Sequence, residues 1–106
     1  MTRAGIRRVR AAALAALLSA FAQPAAAQTL SRDPGTFPAL TCQQIWYLVH
    51  EIRAEGRICP ANRRAATAFR SVPRCISDDE RILSSGVRDY LAKLRDVGRT
   101  KGCPDL

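Results

Sequence analysis

Apolar positions along this chain fall into one near-continuous run and two helical repeats. Residues 11–21 (AAALAALLSAF) form the run, behind a basic stretch of Arg3, Arg7, Arg8 and Arg10 that holds no acid. Ile45, Leu48, Val49 and Ile52 recur at i, i+3, i+4 and i+7, the spacing that sets four aliphatics on one helical face. Val87, Tyr90, Leu91 and Leu94 repeat that spacing further on. No stretch alternates apolar and polar residues as a half-buried strand would, so an all-α domain is predicted.

Local signals set the element ends. Thr41-Cys42-Gln43-Gln44 fits a capping box and starts a helix predicted over 42–55, with Gly56 as the left-handed residue that ends it. Cys59-Pro60 opens a second, alanine-rich segment over 61–70, with Pro60 in the first turn and Ala65, Ala66 and Phe69 facing inward. Pro73 stops it. Ser77-Asp78-Asp79-Glu80 reads as another capping box, opening at most two turns through Leu83. The last helix is predicted from Ser84 or Ser85 to about Arg99, with Gly102 just past its end. Residues 28–39 hold prolines, a glycine and no period, and are predicted to be a flexible lead-in to a domain at 40–106.

The apolar run is far shorter than the ~20 residues a helix needs to cross a bilayer. It leads into Gln23-Pro24-Ala25-Ala26-Ala27, the small-residue site of a signal peptide, which predicts cleavage between Ala27 and Gln28. The protein is thereby expected in the periplasm or outside the cell, with no transmembrane anchor after cleavage. The leader carries four of the 17 basic residues and none of the nine acids, so half of the formal +8 charge leaves with it. A domain this small draws roughly 3–5 kcal/mol from its core, so covalent staples are expected. All four cysteines follow the leader, and an even count in a small exported domain reads as two disulfides. Sequence alone leaves three pairings open. Geometry favours Cys42–Cys103, tying the ends of an antiparallel helix pair, and Cys59–Cys75 across the second helix. The chain-entropy model values these loops at about 4 and about 3 kcal/mol. With no C-x-x-C knuckle, a zinc site of four thiolates is disfavoured, and neither metal nor cofactor is expected.

A resemblance joins these residues. Leu40-Thr41-Cys42, Ile45-Trp46-Tyr47, Glu51-Ile52, Ile58-Cys59, Phe69, Cys75 and Lys101-Gly102-Cys103 together resemble the YARHG-type domain of small bacterial exported proteins, in its cysteine-containing proteobacterial form. The likeness spans about residues 40–103. The Arg-Asn of the family pattern is Val49-His50 here, and its Tyr-Ala-Arg-His-Gly stretch is reduced to Arg53-Ala54-Glu55-Gly56. The resemblance implies a helical module outside the cytoplasm, acting at the cell envelope, with the same cysteine pairing. No functional residue carries over.

Candidate chemistry is sparse. His50 is the only histidine; it falls opposite the aliphatic face and is predicted exposed. His50-Glu51 begins a metalloprotease-like H-E-x-x-H, but Ala54 occupies the second histidine position. Asp78-Asp79-Glu80 lacks the spaced oxygens of a calcium loop and fits a helix N-terminus better. Two candidate surfaces stand out. Arg88, Arg95 and Arg99 on one flank of the last helix, with Arg63, Arg64, Arg70 and Arg74 around the second, form a candidate anion-binding patch for an acidic envelope component or acidic protein. The competing reading has Asp89 and Asp96 offset that charge on a solvated face. Trp46, Tyr47 and His50 form a candidate ligand face for sugar or peptide, although Trp46 fits better as a core anchor. Nucleic acid is excluded by export and by the lack of a basic groove with interleaved aromatics. The expected function is a non-enzymatic binding or structural module of the envelope. The alternative is a periplasmic stress protein, a small chaperone or an inhibitor of a secreted enzyme.

Overall fold

Helix α1 (Cys42–Glu55) starts where Thr41 and Gln44 cap each other: Thr41 Oγ1 accepts from the Gln44 N–H at 3.1 Å, and Gln44 Oε1 from the Thr41 N–H at 2.8 Å. The computed structural model describes Leu30 and residues 32–106. The predicted signal peptide, 1–27, lies outside the described residues. Two further α-helices follow, α2 (Arg63–Ala68) and α3 (Ser85–Thr100), with 3-10 turns at Pro34–Ala39 and Glu80–Ile82. Among the described residues there is no strand, only an isolated parallel bridge between Ile58 and Ser77. The domain is all-helical, and α1 and α3 keep their predicted bounds.

Helix α1 ends differently from expectation. Gly56 keeps an ordinary φ of −82°, and the left-handed residue is Arg57 at φ 68°. Arg57 N–H then reaches the Ala54 carbonyl at 3.0 Å and Ile58 N–H reaches that of Arg53 at 2.9 Å, the paired bonds of a Schellman close. Gly56 is needed for space: a Cβ there would sit 2.2 Å from Leu83 Cδ2. At α3 the same close has glycine at its left-handed position, Gly102 at φ 78°, with Cys103 N–H to the Gly98 carbonyl at 2.8 Å.

Three other local expectations are corrected. Helix α2 is shorter than 61–70, because Asn62 Oδ1 caps the Ala65 N–H at 2.9 Å and leaves Pro60 outside. Backbone bonds from Cys59 to Ser77 and from Ile76 to Arg57, both 2.8 Å, hold the chain before it extended. Ala65 and Phe69 are buried as expected, whereas Ala66 is exposed. The Ser77 box does not form: Ser77 Oγ accepts from the Asp79 N–H at 2.9 Å, and Asp79 caps the short turn. Glu80 cannot reach back, since its carboxylate is held by two arginines. Finally, order begins before Leu40. Asp33 caps the first 3-10 turn, which drives Phe37 wholly into the core, edge-on to Tyr90 with ring centroids 5.2 Å apart. Tyr90 also donates its hydroxyl to the Arg32 carbonyl at 3.0 Å. A single buried aromatic in a 3-10 turn leaves no periodicity to read.

The larger core packs Ile45, Val49 and Ile52 of α1 against Leu91 and Leu94 of α3, with Phe37, Leu40, Ile58 and Leu83 closing it. A second cluster of Trp46, Ala65 and Phe69 joins α1 to α2. Both disulfides form in the pairing that geometry favoured, Cys42–Cys103 with Cα atoms 5.2 Å apart and Cys59–Cys75 at 4.8 Å, leaving no free cysteine. Among the described residues no helix is long and apolar enough to cross a membrane.

Candidate ligand site

Trp46 and His50 lie one turn apart on the α1 face toward α2, with ring centroids 4.6 Å apart. Neither is a surface residue. Trp46 is 5% exposed and His50 only 4%, which corrects the expectation of a solvated histidine. The aliphatic stripe covers only part of the buried arc of α1; α2 and the segment after Cys103 cover the rest. The Cys42–Cys103 bridge delivers that segment to α1. There Asp105, at a left-handed φ of 59°, accepts from Trp46 Nε1 at 2.8 Å and from Asn62 Nδ2 at 2.9 Å. The Trp46 bond above all, helped by Asn62 and by the nearby His50 and Arg64, holds the Asp105 carboxyl below the usual carboxylate range. His50 Nε2 lies 3.1 Å from the Asp105 carbonyl, which can only accept, so this nitrogen carries the hydrogen. Arg64 stacks on the exposed side of Trp46, its guanidinium carbon 3.8 Å from the ring centre.

One turn further along α1, Arg53 enters an ion cluster. Arg95 grips Glu80 with both terminal nitrogens, at 2.6 and 2.8 Å, and its Nε donates to the Leu106 carbonyl at 2.7 Å. Arg53 pairs with the same carboxylate and donates to the Cys59 carbonyl at 3.1 Å. The Arg95 hydrogen bonds lead in holding Glu80 below the usual carboxylate range, against the opposing effect of burial. Arg95 is therefore part of the interior framework and not of a cationic flank.

Between α1, α2 and the Cys59–Cys75 loop lies a cavity of about 160 Å³. Its walls are largely apolar, from Ala54, Ile58, Ala65, Phe69 and Val72, while His50, Arg53, Arg70 and Arg74 add polar groups. Two buried nitrogens on α1, His50 Nδ1 and Arg53 Nε, have no hydrogen-bond partner among the described residues.

The predicted surfaces come apart. Arg99 pairs with Asp96 at 2.9 Å and Arg95 is tied inward, which leaves Arg88 alone on that flank. Arg63, Arg64, Arg70 and Arg74 are exposed on α2 and its exit, so the cationic surface gathers there. The aromatic face also splits. Tyr47 is exposed and rests on Phe69 at 5.0 Å, beside a shallow groove with Gln43, Gln44 and Glu51, while Trp46 and His50 are sealed on another side. Burial first, and then Glu55, pushes the Glu51 carboxyl up at that groove. Residues missed from sequence are Asn62, Glu80 in its ion cluster, and Asp105. Asn62 carries a readable signal, a good N-cap residue before Arg63; the other two depend on distant partners. No family model, curated protein or solved structure matches the chain.

Proposed function

We propose that this protein works outside the cytosol as a non-catalytic binding or structural module of the cell envelope. The observation that carries the reading is the pair of disulfides, Cys42–Cys103 and Cys59–Cys75, in a domain that follows a leader pattern. Such bridges persist where the glutathione and thioredoxin systems do not reduce them. The YARHG resemblance favours the same setting. A binding role is supported by the arginines of α2 and its exit, of which Arg63 and Arg70 have no acidic partner among the described residues. Against catalysis stands the commitment of the one histidine to Asp105 at Nε2.

The test is retention of the disulfide-bonded protein on peptidoglycan sacculi and on vesicles of anionic glycolipid, at low and high salt. Retention that falls with salt and with Arg63→Glu plus Arg70→Glu is expected, since exposed charges are screened within a Debye length of about 8 Å at physiological salt. Retention that ignores both, or none on either surface, would remove this reading.

A further inference from the structure

We propose that the groove beside Tyr47 on α1 is a binding site for a pyranose sugar of the envelope, stacked on the Tyr47 ring and hydrogen-bonded to Gln43, Gln44 and Glu51. The inference rests on the envelope reading for the source of the sugar. The site itself uses none of the α2 arginines that support that reading.

The period of α1 builds the groove. Gln43, Tyr47 and Glu51 stand at i, i+4 and i+8, with Gln44 and Leu48 beside them, so they share one side of the helix. Arg32, from the chain before the first 3-10 turn, lines the same groove, and the Tyr90 hydroxyl holds its carbonyl at 3.0 Å. The space is about 500 Å³, within the range of small-ligand sites. Tyr47 is 47% exposed, and its ring rests on buried Phe69 with centroids 5.0 Å apart. A ring backed in this way is already ordered, so stacking a ligand on it costs little side-chain entropy.

The lining selects the ligand. The side chains of Gln43 and Glu51 and the Tyr47 hydroxyl have no hydrogen-bond partner among the described residues. Gln44 commits its Oε1 to the Thr41 N–H at 2.8 Å and keeps its amide N–H groups as donors. Donors and acceptors therefore stand together, which suits hydroxyls, since each can both donate and accept. One cation, Arg32, and one carboxylate, Glu51, balance in the lining, so a neutral ligand fits better than an acidic or a basic one. Tyr47 and Leu48 are its only large apolar side chains, too little for a protein interface, which buries about 800 Å² on each partner. A neutral molecule with an apolar C–H face and hydroxyls round its edge meets all of these demands. A pyranose is such a molecule, its C–H face against the tyrosine ring.

The experiment is an NMR titration of the disulfide-bonded protein, labelled on backbone and side-chain nitrogens. The probes are N,N′-diacetylchitobiose and cellobiose, with sorbitol, which carries hydroxyls and no ring, as control. Saturable shifts at Tyr47 and at the Gln43 and Gln44 amides are expected with at least one probe. Preference for N,N′-diacetylchitobiose identifies an amino-sugar glycan as the source, and equal or better binding of cellobiose a plain hexose polymer. Tyr47→Ala should weaken binding roughly tenfold, the worth of an aromatic contact. Gln43→Ala, an exposed change that leaves the Tyr47–Phe69 contact in place, should weaken it roughly fivefold, the worth of one hydrogen bond. Arg63→Glu with Arg70→Glu should leave the sugar shifts unchanged, so the groove and the cationic surface are read apart. No saturation at millimolar probe overturns the proposal, whatever retention on sacculi shows. So does equal binding of sorbitol, or sugar binding unchanged by Tyr47→Ala and Gln43→Ala.

Discussion

Helix α1 has two neighbours, and it meets them by different physics. Toward α3 it presents Ile45, Val49 and Ile52 to Leu91 and Leu94, an apolar seam locked at its end by Cys42–Cys103. Gly98 allows close approach there, since a Cβ would come within 2.1 Å of Leu106 Cδ1 and 3.2 Å of Ile45 Cγ2. Toward α2 the same helix presents Trp46, His50 and Arg53, and a smaller apolar cluster joins Trp46 to Ala65 and Phe69, with Ala54, Val72 and Leu106 packed against it. Here polar partners from distant parts of the chain, Asn62, Glu80 and Asp105, do much of the joining. The first seam gives stability from burial. The second is held by directed bonds, tolerates a cavity, and includes two residues with an unpaired buried nitrogen, His50 and Arg53. A small domain can keep a cavity on one face because covalent and apolar staples secure the other.

The largest effects should come from the staples. Replacing Cys42 and Cys103 with alanine should cost about 4 kcal/mol and replacing Cys59 and Cys75 about 3 kcal/mol, read by urea denaturation. The second change should also loosen the cavity loop and broaden the Phe69 and Val72 resonances before the α1–α3 seam is affected. Equal and global loss for both pairs would break the distinction between the seams.

Within the apolar seam, Leu94→Ala removes a wholly buried side chain and should cost about 2–5 kcal/mol, enough to unfold much of the protein at 25 °C. On the polar side, Glu80→Gln weakens the grip on Arg53 and Arg95 and should cost about 1–3 kcal/mol at pH 7. Its pH signature is the sharper test. Glu80 sits below its ordinary value of 4.5 in the folded protein, so its contribution is complete above that value and is lost as pH falls through the lower native one. Asp105, also lowered, adds to the same acid limb. Wild-type stability should therefore drop on acidification below about pH 4.5, and Glu80→Gln should flatten that drop. An unchanged acid limb would contradict the ion cluster.

The smallest contrast concerns two adjacent residues. Gly56→Ala forces buried Leu83 to move and should cost about 1–2 kcal/mol. Arg57→Gly relieves a left-handed arginine and should leave stability within about 1 kcal/mol of wild type, on the favourable side, despite loss of the Arg57 Nε bond to Arg74.

What could be read from sequence followed the same division. Helices α1 and α3 announced themselves because their signals are local: a Thr-x-x-Gln cap, a period of apolar residues, a serine start and a closing Gly102. The disulfide pairing followed from where those helices begin and end. His50 was misplaced because its cover, α2 and Asp105, arrives from 13 to 55 residues away and leaves no trace in the α1 period. Arg95 looked solvent-facing for the same reason, since its partner Glu80 was read as a cap. Phe37 was lost among prolines.

The most direct test is mass spectrometry of the protein recovered from the periplasm of a Gram-negative host expressing the full sequence, without reduction. The expected product begins at Gln28 and shows no alkylation at any cysteine, and its peptides join Cys42 to Cys103 and Cys59 to Cys75. A product that keeps residues 1–27 and takes up alkylating reagent at all four cysteines would contradict the account.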